Sequence, residues 1–429
     1  MMSTSPSLTS QSLRSQSSLS IDVQSCEQAR ISHEQAFELS KRPDLSLKYP
    51  HISPSSVKRG KILGQGGFAK VYEISGLEIH NDFNPASIEQ SCSSAICESK
   101  ICSLGSISCG PEDQSTSYAL KTLITDPGGE INCQALSDLV TEARILAEVK
   151  HSNIVKLRAV ASGDRFHKDF FIVVEKLFDP LDIRIDQWRQ QDTRLKGLSG
   201  RVRDWTGKKR ADLFLDRLVA GYQLGSALEH LHRNRFVYRD LKLENAAFDM
   251  HGELKLFDFG LAKELPDECP SRDGLHKLTG KTGTLRYQAP EVALGLPYNE
   301  SCDVYSFSIL LWEILIMKRA FKDYTSEHIM TMVLEKPYKR PPKSTKWNAA
   351  LRENMHHAWS PVIRQRPSMS AMVNMLEDEC TKCPGYNEKL GLCGSPRSDC
   401  TYADPTKHLC CKNQKLRRSN TEQSSLFSD

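Results

Sequence analysis

The chain has 429 residues, a formal net charge of +4 and 14 cysteines. That length suits one large domain or two to three small ones, and the near balance of 57 Lys and Arg against 53 Asp and Glu gives no reason to expect a nucleic-acid partner. A membrane partner is not expected either, because the best apolar run, Val304 to Met317, is short and carries Glu313, which suits a buried core helix.

The first twenty residues are rich in serine and contain no acidic residue. They lack the continuous apolar stretch of a secretory signal, while a transit peptide stays open. Without a secretory signal, reduced thiols and a cytoplasmic location are expected, with nucleus and organelles left open. Residues 1–56 read as a disordered polar tail, residues 57–379 as globular, and residues 380–429 as a cysteine-containing, mostly disordered tail.

In the globular part "RGKILGQGGFAKVYEI" turns like a hairpin, and "SYALKTLI" and "DFFIVVEKL" are short strand-type runs. Between the last two, Leu136, Leu139, Ala143, Leu146 and Ala147 recur with helical spacing. The later half is mostly helical, as in "LFLDRLVAGYQLGSALEHLH". A small strand-rich lobe followed by a larger helical one leaves a cleft between them, a favoured place for a ligand.

Chemistry concentrates at three places. The glycines of "GQGGFAKV" let backbone N–H groups approach phosphate oxygens, although an ordinary turn would read the same. Lys121 lies on the same side of its strand as Ala119 and needs an anion. Glu142, beside the apolar stripe of the predicted helix, needs a cation. The third place is "YRDLKLENAAFDMHGELKLFDFG". Its short apolar hairpin can bring Asn245 and Asp258 to one point, where oxygen ligands suit Mg²⁺ with bound phosphate, and it leaves Asp240 beside Lys242, poised to accept a hydroxyl proton.

With these motifs in order, followed by "APE" at Ala289 to Glu291, the sequence resembles a eukaryotic protein kinase from about Lys61 to Met375. The resemblance implies an α+β, bilobal kinase fold: a small antiparallel-sheet lobe with one key helix, and a larger, mainly helical lobe. It implies transfer of the γ-phosphate of Mg-ATP to protein hydroxyls. Lys121 would hold the α- and β-phosphates, Glu142 would hold Lys121, Asp240 would be the catalytic base, and Asn245 and Asp258 would take Mg²⁺. Leu63, Gly64, Gly66, Gly67, Val71 and Ala119 would surround the nucleotide, with Glu175 to Leu177 as the adenine hinge and Ala247 beneath the ring. Asp303 would brace the catalytic loop, Arg366 would pair with Glu291, and Leu146, Tyr238 and Phe259 would form a hydrophobic column between the lobes.

Lys242 and Thr284 resemble the serine/threonine type, where Lys242 offsets charge on the transferring group. "DVYSFSILLWEIL" resembles the tyrosine-kinase-like branch, and dual specificity stays open. The resemblance also implies that Arg239 receives an activation-loop phosphate placed by an upstream kinase on Ser271, Thr279 or Thr282. The alternative is a silent kinase-fold scaffold, kept open by Ala69 in place of the third glycine, by the small Ala247 and by the long first insertion. Two insertions are expected, near 75–117 and 184–210. The first, with Cys92, Cys97, Cys102 and Cys109, and the second, strongly basic, both read as solvated loops. Zinc binding by Cys380, Cys383 and the later tail cysteines stays open.

Overall fold

The computed structural model describes residues 49–77, 118–129, 131–266, 273–336 and 338–386. The first element among the described residues is a two-residue strand, β1 (His51–Ile52), inside the segment expected to be a tail. A hairpin of β2 (Val57–Gln65) and β3 (Ala69–Leu77) follows. β3 reaches Leu77, and β4 (Tyr118–Leu123) resumes directly opposite it. The cysteines of the first insertion lie outside the described residues.

Helix α1 (Cys133–Glu148) starts at Asn132, whose side chain accepts from the Ala135 N–H at 2.9 Å, relieving one unpaired donor of the first turn. Its buried stripe runs through Leu136, Leu139, Ala143 and Leu146, as the spacing predicts, and Glu142 is buried with it. Strands β5 (Leu157–Ala161) and β6 (Phe171–Glu175) complete a six-stranded sheet in the order β1-β5-β6-β4-β3-β2. All its pairings are antiparallel except that of β1 with β5.

The second lobe begins with β7 (Asp179–Pro180) and three helices, α2 (Leu181–Lys196), α3 (Leu198–Arg203) and α4 (Lys208–Arg233). The second insertion is therefore helical rather than a loop. The short strands β8 (Phe236–Val237), β9 (Ala246–Phe248), β10 (Leu254–Leu256) and β11 (Lys263–Glu264) carry the catalytic-type motifs. Then come α5 (Pro290–Ala293), α6 (Ser301–Ile316), α7 (Ser326–His328) with a π-helical turn, α8 (Ala349–Ala358) and α9 (Met369–Thr381).

The apolar run singled out in the sequence is α6, buried along nearly its whole length, Glu313 included. It approaches α4 closely because Gly221 offers no side chain there: a Cβ would lie 2.6 Å from Leu311 Cδ1. Cys302, Cys380 and Cys383 are free thiols, whereas Cys133 is disulfide-bonded, against the expectation of reduced thiols throughout. No helix among the described residues is long and apolar enough to cross a membrane.

Candidate active site

Sheet register places the first part of the site. Val71 of β3 stands opposite Lys121 of β4, and Ala119 stands opposite Val174 of β6. Directly opposed residues share a face, and so do alternate residues of one strand. Val71, Ala119 and Lys121 therefore line one side of the small lobe, at the mouth of the glycine-bearing turn. A Cβ at Gly64 or Gly67 would meet nothing within 4 Å, so the turn faces open space on the side where a ligand would lie. Leu63 and Phe68 beside it are exposed. Tyr118 pairs with Glu175, which carries the chain toward a half-buried Leu177, and Ala247 is buried in β9.

Lys121 meets not one carboxylate but two. Its ammonium lies 2.5 Å from Glu142 Oε2 and 2.8 Å from Asp258 Oδ1. Burial works to deprotonate Lys121, but Glu142 and Asp258 outweigh it and hold the ammonium above its ordinary value. Loss of water raises the Glu142 carboxyl, only partly offset by Lys121. The same loss acts upward on Asp258, yet the ammonium beside it leaves this carboxyl below its ordinary value. With 42% of its side chain accessible, Asp258 presents negative charge to the cleft.

The predicted hairpin does bring the acidic and amide groups together. Leu256 pairs with Ala246, and the Phe257 N–H donates to the Asn245 carbonyl at 3.0 Å, so Asp258 follows directly on the end of the catalytic-type loop. Asn245 spends its side-chain N–H₂ on Asp240, reaching the backbone oxygen at 2.9 Å and Oδ2 at 3.1 Å. Its amide oxygen is the remaining acceptor. A carboxylate and an amide oxygen are hard donors of the kind Mg²⁺ takes beside phosphates, so the residues present fit that ion. Among the described residues no group of three or more His, Cys, Asp or Glu forms a metal site.

Asp240 is held by three donors. Lys242 Nζ reaches Oδ2 at 2.5 Å, Asn245 shares that oxygen, and Thr284 Oγ1 donates to Oδ1 at 2.9 Å. Thr284 can come this close because Gly283 precedes it. Gly283 has φ +93°, and a Cβ there would lie 2.3 Å from the Arg239 carbonyl oxygen. Only glycine lets the two loops touch.

The brace expected from Asp303 is present. Its carboxylate accepts from the N–H groups of Tyr238 at 2.8 Å and Arg239 at 2.9 Å. Arg239 is held in the left-handed region at φ 69°. His232 Nε2 lies 2.9 Å from the same carboxylate, a partner the sequence reading missed because a lone histidine at a helix end carries no local signal. Of the expected column, Tyr238 and Phe259 meet edge-on at 5.2 Å, and Leu146 is buried in the same core.

Arg239 donates to the Leu261 carbonyl at 2.7 Å and to the Tyr298 hydroxyl at 3.3 Å, and Tyr298 donates to the Thr279 carbonyl at 2.7 Å. Tyr298 was not anticipated. Thr279 is exposed, Thr282 is half-buried, and Ser271 lies outside the described residues. Of the tail cysteines considered for zinc, only Cys380 and Cys383 are described.

The protein kinase domain family profile matches residues 104–382, more than half of the chain. The match leaves out the glycine-bearing hairpin, which the structure ties back through the Val71–Lys121 register. The chain is similar to the serine/threonine-protein kinase STY17 of Arabidopsis thaliana, 26% identical over 57% of this chain and 38% of that protein. It is similar to the serine/threonine/tyrosine-protein kinase HT1 of the same plant, 34% identical over 37% of this chain and 39% of that protein. It is also similar to mitogen-activated protein kinase kinase kinase 7 of Drosophila melanogaster, 26% identical over 66% of this chain and 39% of that protein. The chain thus spans well under two thirds of the length of these relatives. From the assembled lobes, the cleft and these matches together, the chain belongs to the eukaryotic protein kinase family, in its tyrosine-kinase-like branch.

Proposed function

We propose that this protein transfers the γ-phosphate of ATP to serine and threonine hydroxyls of other proteins. The observation that carries the reading is the Lys121 ammonium held between Glu142 and Asp258 at 2.5 and 2.8 Å, opposite the glycine-bearing strand. An ammonium fixed there suits the α- and β-phosphates, with adenine against Glu175 to Leu177 and Ala247. Asn245 and Asp258 would hold Mg²⁺, which when bound neutralises phosphate charge.

In the reaction, Asp240 accepts the proton of the substrate hydroxyl. The oxygen attacks the γ-phosphorus, the bond from that phosphorus to the β–γ bridging oxygen breaks, and ADP leaves with the bonding pair. Lys242 and Thr284 fix the Asp240 carboxylate, and the Lys242 charge offsets that of the transferring group. Regulation is part of the proposal: an upstream kinase phosphorylates Thr279 or Thr282, and the phosphate pairs with Arg239, already linked to Thr279 through Tyr298.

The test is transfer of label from γ-labelled ATP to a generic protein substrate by the full chain, with Asp240→Asn as control and phosphoamino-acid analysis of the product. Phosphoserine and phosphothreonine are expected. No transfer above the control, despite nucleotide binding, would leave the scaffold reading in its place. Phosphotyrosine beside the other two would establish dual specificity.

A further inference from the structure

The helix α3 has no counterpart in the catalytic account. Leu198, Val202 and Trp205 follow one another at spacings of four and three, the pattern of a single helical face, with Trp205 in the turn directly after the helix. All three are exposed, by 86%, 77% and 85%. The remaining tryptophans, Trp188, Trp312, Trp347 and Trp359, are all buried.

Their exposure is fixed by packing. Gly200 is the buried residue of α3, and a Cβ there would sit 2.0 Å from the Arg194 carbonyl oxygen. The helix therefore docks on the end of α2 by its bare glycine side. The following turn is pinned by the buried Asp204, which accepts from the Lys209 N–H and from Arg210 Nε, each at 2.9 Å. From Arg194 to Arg210 there are seven Lys or Arg and one acidic residue, and that residue is Asp204. Three outward apolar side chains thus stand among cations, with no exposed carboxylate in the segment.

We propose that α3 and its turn form a peripheral contact with anionic lipid surfaces. Leu198, Val202 and Trp205 enter the interfacial layer, and the surrounding cations lie over lipid phosphates. Apolar insertion and basic charge are the two signals that reversible membrane attachment needs, and tryptophan favours the headgroup level. A nucleic-acid strand would use the cations and the indole but leave Leu198 and Val202 without a role. A stable protein partner would require a contact of about 800 Å² on each side, more than a six-residue helix with three apolar side chains supplies.

The test mixes the full chain with phosphatidylcholine vesicles, or with the same vesicles carrying roughly a third phosphatidylserine. The expected result is co-sedimentation with the anionic vesicles alone, weakened by salt, with a blue shift of the exposed indole fluorescence. The double variant Leu198→Ser with Trp205→Ser is expected to weaken binding about tenfold or more. Trp205→Phe should keep binding while the spectral shift is lost. Phosphorylation of a soluble peptide should be unchanged in both, which also checks that they fold. Binding that survives the double variant, absence of any blue shift in the unsubstituted chain, or an equal shift with heparin or RNA in place of vesicles would each overturn the proposal.

Discussion

Two buried ion clusters in this molecule differ in how completely they are closed. In the large lobe, Arg366 makes a double contact with Glu291 at 2.5 and 2.7 Å and donates two further bonds to the Ser360 and Ser301 carbonyls, with no side-chain surface accessible. In the cleft, Lys121 also joins buried partners, but Asp258 remains open to solvent on one side. A closed cluster has nothing left to offer a ligand and serves the fold, while an open one holds its charges in place for something that is still to arrive.

The sharpest way to break that distinction begins with Asp240. Asp240→Asn keeps the shape of the loop and removes the proton acceptor. Turnover is expected to fall about 10²- to 10⁴-fold with the melting temperature unchanged. A comparable loss of stability would mean that this carboxylate belongs with the closed kind. For the closed pair itself, Arg366→Met leaves Glu291 buried without its cation and is expected to cost about 3–5 kcal/mol in a denaturant titration. Full stability with activity alone lost would reverse its assignment.

Glu313 is an intermediate case. It accepts from the Tyr287 hydroxyl and the Ala320 N–H, each at 2.7 Å, but its nearest cation, Arg319 Nε, stands 3.8 Å away. Burial therefore prevails and pushes its carboxyl from 4.5 to about 7. The proton is bound more tightly in the folded state, so this stabilisation is complete below about pH 4.5 and is lost as pH rises through about 7. Relative to Glu313→Gln, the wild-type chain should lose about 3 kcal/mol across that window. Parallel stability curves for the two would contradict the assignment.

The smallest effect is expected at the activation segment. With both Thr279 and Thr282 changed to alanine, activity after treatment with an upstream kinase should fall about tenfold, because no phosphate is then available to Arg239. Equal activity in both proteins would remove the proposed switch.

Much of the cleft was legible because its chemistry sits in short local patterns. A hairpin between Asn245 and Asp258, and a charged residue on a strand or an apolar helix stripe, are visible in a few residues. What was not legible depends on distant approach. The sequence offered Lys121 one carboxylate, and the second lies 137 positions away. Tyr298 and His232 are single residues whose roles come only from the loops folded against them. The basic insertion misled for a different reason. Its density of basic residues reads as a solvated loop, but Gly200 is the contact face of a helix, where the missing side chain is what allows it to pack.

The strand His51–Ile52 has a practical consequence for anyone trimming this chain. Pro50 and Ile52 carbonyls accept from the Val160 and Ser162 N–H groups at 3.1 and 2.9 Å, so this short segment covers the outer rim of β5. A version starting at Val57 would bare a row of unpaired amides along that rim, an invitation to stack edge to edge with a neighbouring copy. Light scattering should then show self-association for the trimmed protein and none for one that retains residues 49–56.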